Sequence, residues 1–88
     1  MNGLQREAGA IDVQVRLFAD LRRFLPKGAD GPLSFRLTEG ATMQALLDRI
    51  GIAADAEITA GRNGELAQRD TVLHDGDELV LFSPMEGG

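Results

Sequence analysis

Ile11-Asp12-Val13-Gln14-Val15-Arg16-Leu17-Phe18 is the stretch on which the fold turns. Ile11, Val13, Val15 and Leu17 share one side of a two-residue repeat, with Asp12, Gln14 and Arg16 on the other. That is the pattern of a strand buried on one face. Phe18 takes the polar register and so puts a large apolar side chain on the side that should face water. A strand of this kind needs neighbours to pair with and a cover over its apolar side, and the rest of the chain must supply both.

Immediately downstream, Leu21, Phe24 and Leu25 recur at helical spacing and Pro26 closes the segment, which predicts one or two turns of helix. Lys27-Gly28-Ala29-Asp30-Gly31-Pro32 has the composition of a loop. Leu33, Phe35 and Leu37 then alternate with Ser34, Arg36 and Thr38, giving a second strand, antiparallel to the first if the connection is hairpin-like. After the turn Glu39-Gly40-Ala41, Thr42 is a good N-cap, because its hydroxyl can accept from an otherwise unpaired amide of the first helical turn. Met43, Leu46, Leu47 and Ile50 follow at i, i+3, i+4 and i+7, and Gly51 is the stop. This stripe reads as core, and its helix as the cover the sheet requires.

Residues 52–57 have no clear period and should connect. Ile58-Thr59-Ala60 begins a weaker third strand that runs to Arg62-Asn63-Gly64-Glu65, where Asn-Gly suits a tight hairpin turn with positive φ at both central positions. Leu66 lies on the return side. Thr71-Val72-Leu73 leads to a second turn at Asp75-Gly76, and residues 77–82 form the last strand, with Leu79 and Leu81 on one face and Glu78, Val80 and Phe82 on the other. The predicted architecture is α+β: a mixed four- to five-stranded sheet with one main helix packed on one face. With the helix as a crossover, the first and last strands can lie side by side, parallel and central. The segment after Phe82 would then leave from the middle of the sheet.

Eighty-eight residues, 43% of them hydrophobic, support one domain with an ordinary core. Residues 1–10 show no period and are expected to be a poorly ordered extension, residues 11–82 the domain, and residues 83–88 a flexible tail. The absence of cysteine removes disulfides, thiolate catalysis and Cys-based metal sites. His74, the single histidine, stands beside Asp75, Asp77 and Glu78, which read as a turn and strand start, so no metal site is expected. No Gly-rich phosphate loop precedes a helix, and Ser34 and Ser83 lack a plausible base partner, so no nucleotide site and no autonomous catalysis are expected. A net charge of −5 argues against nucleic acid as a partner. The lack of a long apolar run or signal-peptide core predicts a soluble, cytoplasmic protein without a membrane partner.

After Arg69 no basic residue follows, whereas Asp70, Asp75, Asp77, Glu78 and Glu86 do. This acidic end would either dock on a basic surface or remain a solvated edge that keeps the protein soluble. The sequence closes on Ser83-Pro84-Met85-Glu86-Gly87-Gly88. Glycine has no β-carbon, so Gly87 and Gly88 could enter a channel too narrow for side chains, and six extended residues reach at most about 20 Å. Such a tail could deliver a carboxylate to chemistry inside another protein, or it could be a frayed end with no role.

Taken together, Val15-Arg16-Leu17-Phe18-Ala19 with Leu21-Arg22, the helix start Gly40-Ala41-Thr42-Met43, Asn63-Gly64, the turn Leu73-His74-Asp75-Gly76-Asp77-Glu78 and the final Gly87-Gly88 resemble the MoaD/ThiS family of sulfur-carrier proteins. The likeness covers about Val13 to Gly88, and the helical segment after the first strand makes it closer to the MoaD branch. The resemblance implies a ubiquitin-like β-grasp fold and a chemistry done on the protein rather than by it. An ATP-using, ubiquitin-activating-type adenylating enzyme (MoeB/ThiF-like) would activate the carboxylate of Gly88, and sulfur transfer would make it a thiocarboxylate. Gly87 would let the tail thread the active site. The protein would bind no cofactor itself, ATP being used by the activating enzyme.

In the MoaD branch the carrier is the small subunit of molybdopterin synthase, docks on the large subunit (MoaE-like) and gives sulfur to a precursor of the molybdenum cofactor. The family's docking positions fall on Phe18, Leu66 and Phe82. With the first and last strands as neighbours, the aromatics Phe18 and Phe82 would form a partner patch on the open face or, alternatively, cap the core at the strand ends. Other acceptors implied by the wider family are thiamin, cysteine or tRNA thiolation, or protein lysines in ubiquitin-like modification. A non-covalent β-grasp interaction module is the alternative outside this chemistry.

Overall fold

The computed structural model describes residues 9–29 and 31–83. The N-terminal extension up to residue 8 and the tail from residue 84, with Gly87 and Gly88, lie outside the described residues. Five strands, β1 (Ala10–Phe18), β2 (Leu33–Thr38), β3 (Thr59–Arg62), β4 (Glu65–Ala67) and β5 (Glu78–Phe82), form one sheet, and α1 (Met43–Ile50) lies between β2 and β3 in the chain. The strand order is β2-β1-β5-β3-β4, so β5 is central. It runs parallel to β1 and antiparallel to β3. This is the expected α+β, ubiquitin-like β-grasp arrangement, a mixed sheet with one helix.

The alternation in β1 is realised residue by residue: Ile11, Val13, Val15 and Leu17 are buried, while the residues between them are exposed. Buried Leu79 and Leu81 of β5 lie on the same face, in register with Val15 and Leu17. Met43, Leu46 and Leu47 of α1 are fully buried and join these residues in one core. The helix starts where predicted, with Ala45 N–H donating to Thr42 Oγ1 at 3.4 Å. It stops at Gly51, whose φ of 102° is the left-handed conformation that glycine adopts without steric cost.

The helix N-terminus is also satisfied from outside. Met43 and Gln44 amides donate to the Thr71 and Arg69 carbonyls at 2.9 and 2.8 Å, so the segment before β5 is tied to α1. Arg69 adds side-chain hydrogen bonds to Gln44 and to the Ala56 carbonyl, which hold the connection after the helix.

Five local readings shift. The segment after β1 is a 3₁₀ helix, Ala19–Phe24, entered through Ala19 at φ 57°. A non-glycine residue pays for that conformation, and alanine, with the smallest side chain, pays least. Strand β1 begins at Ala10 rather than Ile11 and β3 at Thr59 rather than Ile58, shifts of one residue set by pairing partners outside each segment. Ile52, read only as part of a connection, is buried in the core, because the turn at Gly51 returns the chain beneath the helix. Strand β5 begins at Glu78, leaving Asp77 as a buried acid in the preceding turn. Among the described residues no helix is long and apolar enough to cross a membrane.

Candidate functional site

The face of the sheet away from α1 divides into two halves along β1. At the start of the strand the side chains are polar and paired across to β2: Arg36 Nε lies 3.0 Å from Asp12 Oδ1, and Gln14 Nε2 donates to Ser34 Oγ at 2.8 Å. At the far end the side chains are apolar. Phe18 and Phe82 are register partners on adjacent parallel strands, which sets their backbones about 4.8 Å apart, and they are 43% and 38% exposed. Two neighbouring aromatics exposed to that degree at strand ends place apolar surface on the open side.

Leu66, 82% exposed, does not touch this pair through a direct strand neighbour. Its partner on β3 is Gly61, and the partner of Gly61 on β5 is Val80. Leu66 therefore joins the aromatics only by way of Val80, one row away from Phe82. A β-carbon at Gly61 would lie 3.0 Å from Val80 Cγ2, so the missing side chain lets Val80 settle across β3. Sequence reasoning placed Val80 on the open face but did not assign it to the site, and it gave Gly61 no part. The available signal was an apolar residue two positions before Phe82.

At the other end of β5 from Phe82, the turn that leads into the strand is fixed by polar groups around the buried Asp77. Asp77 accepts from the His74 amide at 2.8 Å and from Asn63 Nδ2 at 2.9 Å, while Asn63 Oδ1 accepts from the Glu78 amide at 2.9 Å. Arg62 Nε stands 3.0 Å from Asp77 Oδ2, an ion-pair contact without hydrogen-bond alignment. Burial pushes the Asp77 carboxyl up, but the hydrogen bonds from His74 and Asn63, together with the charges of Arg62 and His74, outweigh it and hold the group below the ordinary carboxylate value. The Asn63-Gly64 turn, with φ of 51° and 90°, thus does more than close β3 on β4: it clamps the start of β5.

Asp75 is likewise used internally, its Oδ1 accepting from the Asp12 amide at 2.7 Å. Two of the acids that made the last quarter of the sequence look like a docking charge are therefore structural acceptors. His74 contributes its backbone to this turn, and among the described residues no group of three or more His, Cys, Asp and Glu side chains is placed to hold a metal ion.

The patch lies at the root of the C-terminal segment. Ser83 follows Phe82 directly out of the central strand, with Phe18 on the neighbouring strand at the same end. Gly87 and Gly88 lie beyond the described residues. A broad hollow of about 640 Å³, lined by Arg36, Gly40, Ala45 and Arg49 among others, opens at the opposite end of the molecule. Its two arginines are already engaged: Arg36 pairs with Asp12, and Arg49 donates to the Arg36 carbonyl at 3.0 Å. The end bearing the apolar patch and the tail root is therefore the candidate site.

Comparison with known proteins bears on what such a site does. The profile of the ThiS family matches residues 15–88. Among solved structures, small archaeal modifier protein 1 from Haloferax volcanii is 28% identical, with a TM-score of 0.67 over 88% of this chain and 99% of that one. A protein from Pyrococcus furiosus provisionally assigned as molybdopterin converting factor subunit 1 is 26% identical, with a TM-score of 0.66 over 85% of this chain and 99% of that one. Caldiarchaeum subterraneum ubiquitin, at 18% identity and a TM-score of 0.57 over 91% of this chain and 100% of that one, shares the fold. Comparison with curated protein sequences gave no match.

Proposed function

We propose that this chain, which belongs to the ThiS family, is a sulfur carrier that works through Gly88 as the small subunit of a molybdopterin synthase. Members of the family are small carrier proteins and not themselves catalysts. The observation that carries the proposal is the family match extending to residue 88, across the Gly87-Gly88 pair. A free carboxylate is a poor electrophile. On a ubiquitin-activating-type enzyme a carboxylate oxygen of Gly88 attacks the α-phosphate of ATP and expels pyrophosphate, giving an acyl-adenylate; a sulfide-level sulfur nucleophile then attacks the carbonyl carbon, AMP leaves with that oxygen, and the thiocarboxylate remains. ATP belongs to that enzyme and not to this chain. The carrier's part is to dock through Phe18, Phe82, Val80 and Leu66 and to present a tail slim enough, at Gly87, to reach the reacting centre.

Docking at the root of the tail suits this division of labour. A patch beside Ser83 fixes where the tail begins, and about five extended residues then span roughly 17 Å into the partner. The molybdopterin assignment is favoured by the likeness to the Pyrococcus furiosus protein. The likeness to small archaeal modifier protein 1 favours a second reading, in which the same activated Gly88 is joined to a lysine amine of another protein.

Intact mass and C-terminal peptide sequencing of protein isolated from its native host, with the acceptor removed, test the carrier reading. Replacing one oxygen of Gly88 by sulfur adds about 16 Da, and the shift must map to Gly88 because methionine oxidation adds a similar mass. An unmodified terminus under those conditions overturns it. Adding one alanine after Gly88 separates both covalent readings, which require loss of function, from a non-covalent interaction module, which requires none.

A further inference from the structure

Along the open face of β1, Asp12 is paired with Arg36 and Gln14 with Ser34, but Arg16 has no side-chain hydrogen bond or ion pair among the described residues. It is also the polar residue closest to the apolar half of the face. Its cross-strand partner is Val80, Phe18 follows two positions later on the same side, and Pro32 lies across the hollow on its other flank. That hollow holds about 180 Å³, and a smaller one of about 40 Å³ opens between Arg16, Phe18, Arg22 and Leu25. Arg16 therefore stands as a ridge between two depressions at the edge of the docking patch. Glu78 lines the larger one without pairing with it.

A partner that covers Val80 and Phe18 must also strip water from the Arg16 guanidinium. Burying an unpaired charge is costly, so a partner that binds well must return a counter-charge at that spot. We propose that Arg16 is a specificity residue of the docking face, and that the enzyme activating Gly88 carries a carboxylate side chain which pairs with it when the apolar patch is covered. This rests on the carrier reading, since activation is the step through which every tail chemistry passes. It also reverses the sign expected from the acidic end of the sequence. Although the chain carries a net −5, the contact beside the tail root is cationic, because the sheet sets β1 against β5.

The test is ATP–pyrophosphate exchange by the adenylating enzyme of the same host, with the carrier as the varied substrate. Arg16→Gln should raise KM about tenfold and Arg16→Glu about a hundredfold with kcat little changed; Arg16→Lys should fall between wild type and Gln. The salt dependence of KM should weaken in Arg16→Gln. Melting temperatures should stay at the wild-type value, because Arg16 has no side-chain partner among the described residues. Arg36→Gln removes the same charge from the paired half of the face and should leave KM nearly unchanged. Equal KM values for wild type and Arg16→Gln overturn the proposal, as does an equal rise in Arg36→Gln, which would mean general charge steering. A wild-type chain that supports no exchange at all overturns the carrier reading itself.

Discussion

The two faces of β5 carry residues of similar kind to opposite ends. Leu79 and Leu81 lie under α1 with almost no exposure, whereas Val80 and Phe82, one position along, remain on the open side. Nothing in side-chain chemistry separates Leu81 from Phe82; the alternation of the strand does. An apolar residue on the covered face serves stability, and one on the uncovered face costs solubility unless a partner covers it.

This comparison is most easily broken from the covered side. Leu46 is fully buried in α1 against the sheet, so Leu46→Ala should cost about 2–5 kcal/mol and lower the melting temperature sharply, as read by thermal denaturation followed by circular dichroism. A small change there would mean that the helix is not the cover that the burial pattern describes.

Asp77 is the charged exception on the covered side, and acid tests it. Its folded carboxyl titrates below the ordinary carboxylate value, so its contribution to stability is fully present above the unfolded value, near pH 4, and is lost as pH falls through the folded one. Thermal denaturation between pH 6 and pH 2.5 should therefore show a smaller acid-induced fall in Asp77→Asn than in wild type. The variant should be the less stable of the two at neutral pH, where Arg62 loses its counter-charge. Parallel curves would mean that the Asn63, His74 and Arg62 contacts do not favour the charged form.

The open side should give the smallest stability effect. Phe82→Ser removes an aromatic that is already more than a third exposed, so unfolding free energy should change by about 1 kcal/mol or less, while affinity for the activating enzyme should fall at least tenfold by calorimetry. A large stability loss would turn Phe82 into a core residue and remove the reason for calling this face a docking surface.

Much of this layout is legible without coordinates. The period of β1 and β5, the N-cap at Thr42, the stop at Gly51 and the Asn63-Gly64 turn are each decided by a few adjacent residues, because backbone stereochemistry and local capping act over one turn or one hairpin. Less legible are features made by distant partners. The acids at Asp75 and Asp77 look like surface charge in sequence, yet one accepts from β1 and the other is buried beside Arg62 and Asn63. Leu66 and Phe82 both fall at exposed positions, but the gap between them is set by Gly61 on a third strand.

The sequence by itself determined the main elements and their buried faces, which follow from periodicity along the chain, and it offered a central last strand as one arrangement that the strand pairing then realised. Only the tertiary structure decided that Arg16 and Phe18 stand beside Val80 and Phe82 at the root of the C-terminal segment. It also decided that Asp77 is buried in the turn while Asp75 stays at the surface and accepts from β1. The reason is that strand pairing brings together residues more than sixty positions apart, and no local pattern encodes which charge will meet which neighbour across a sheet.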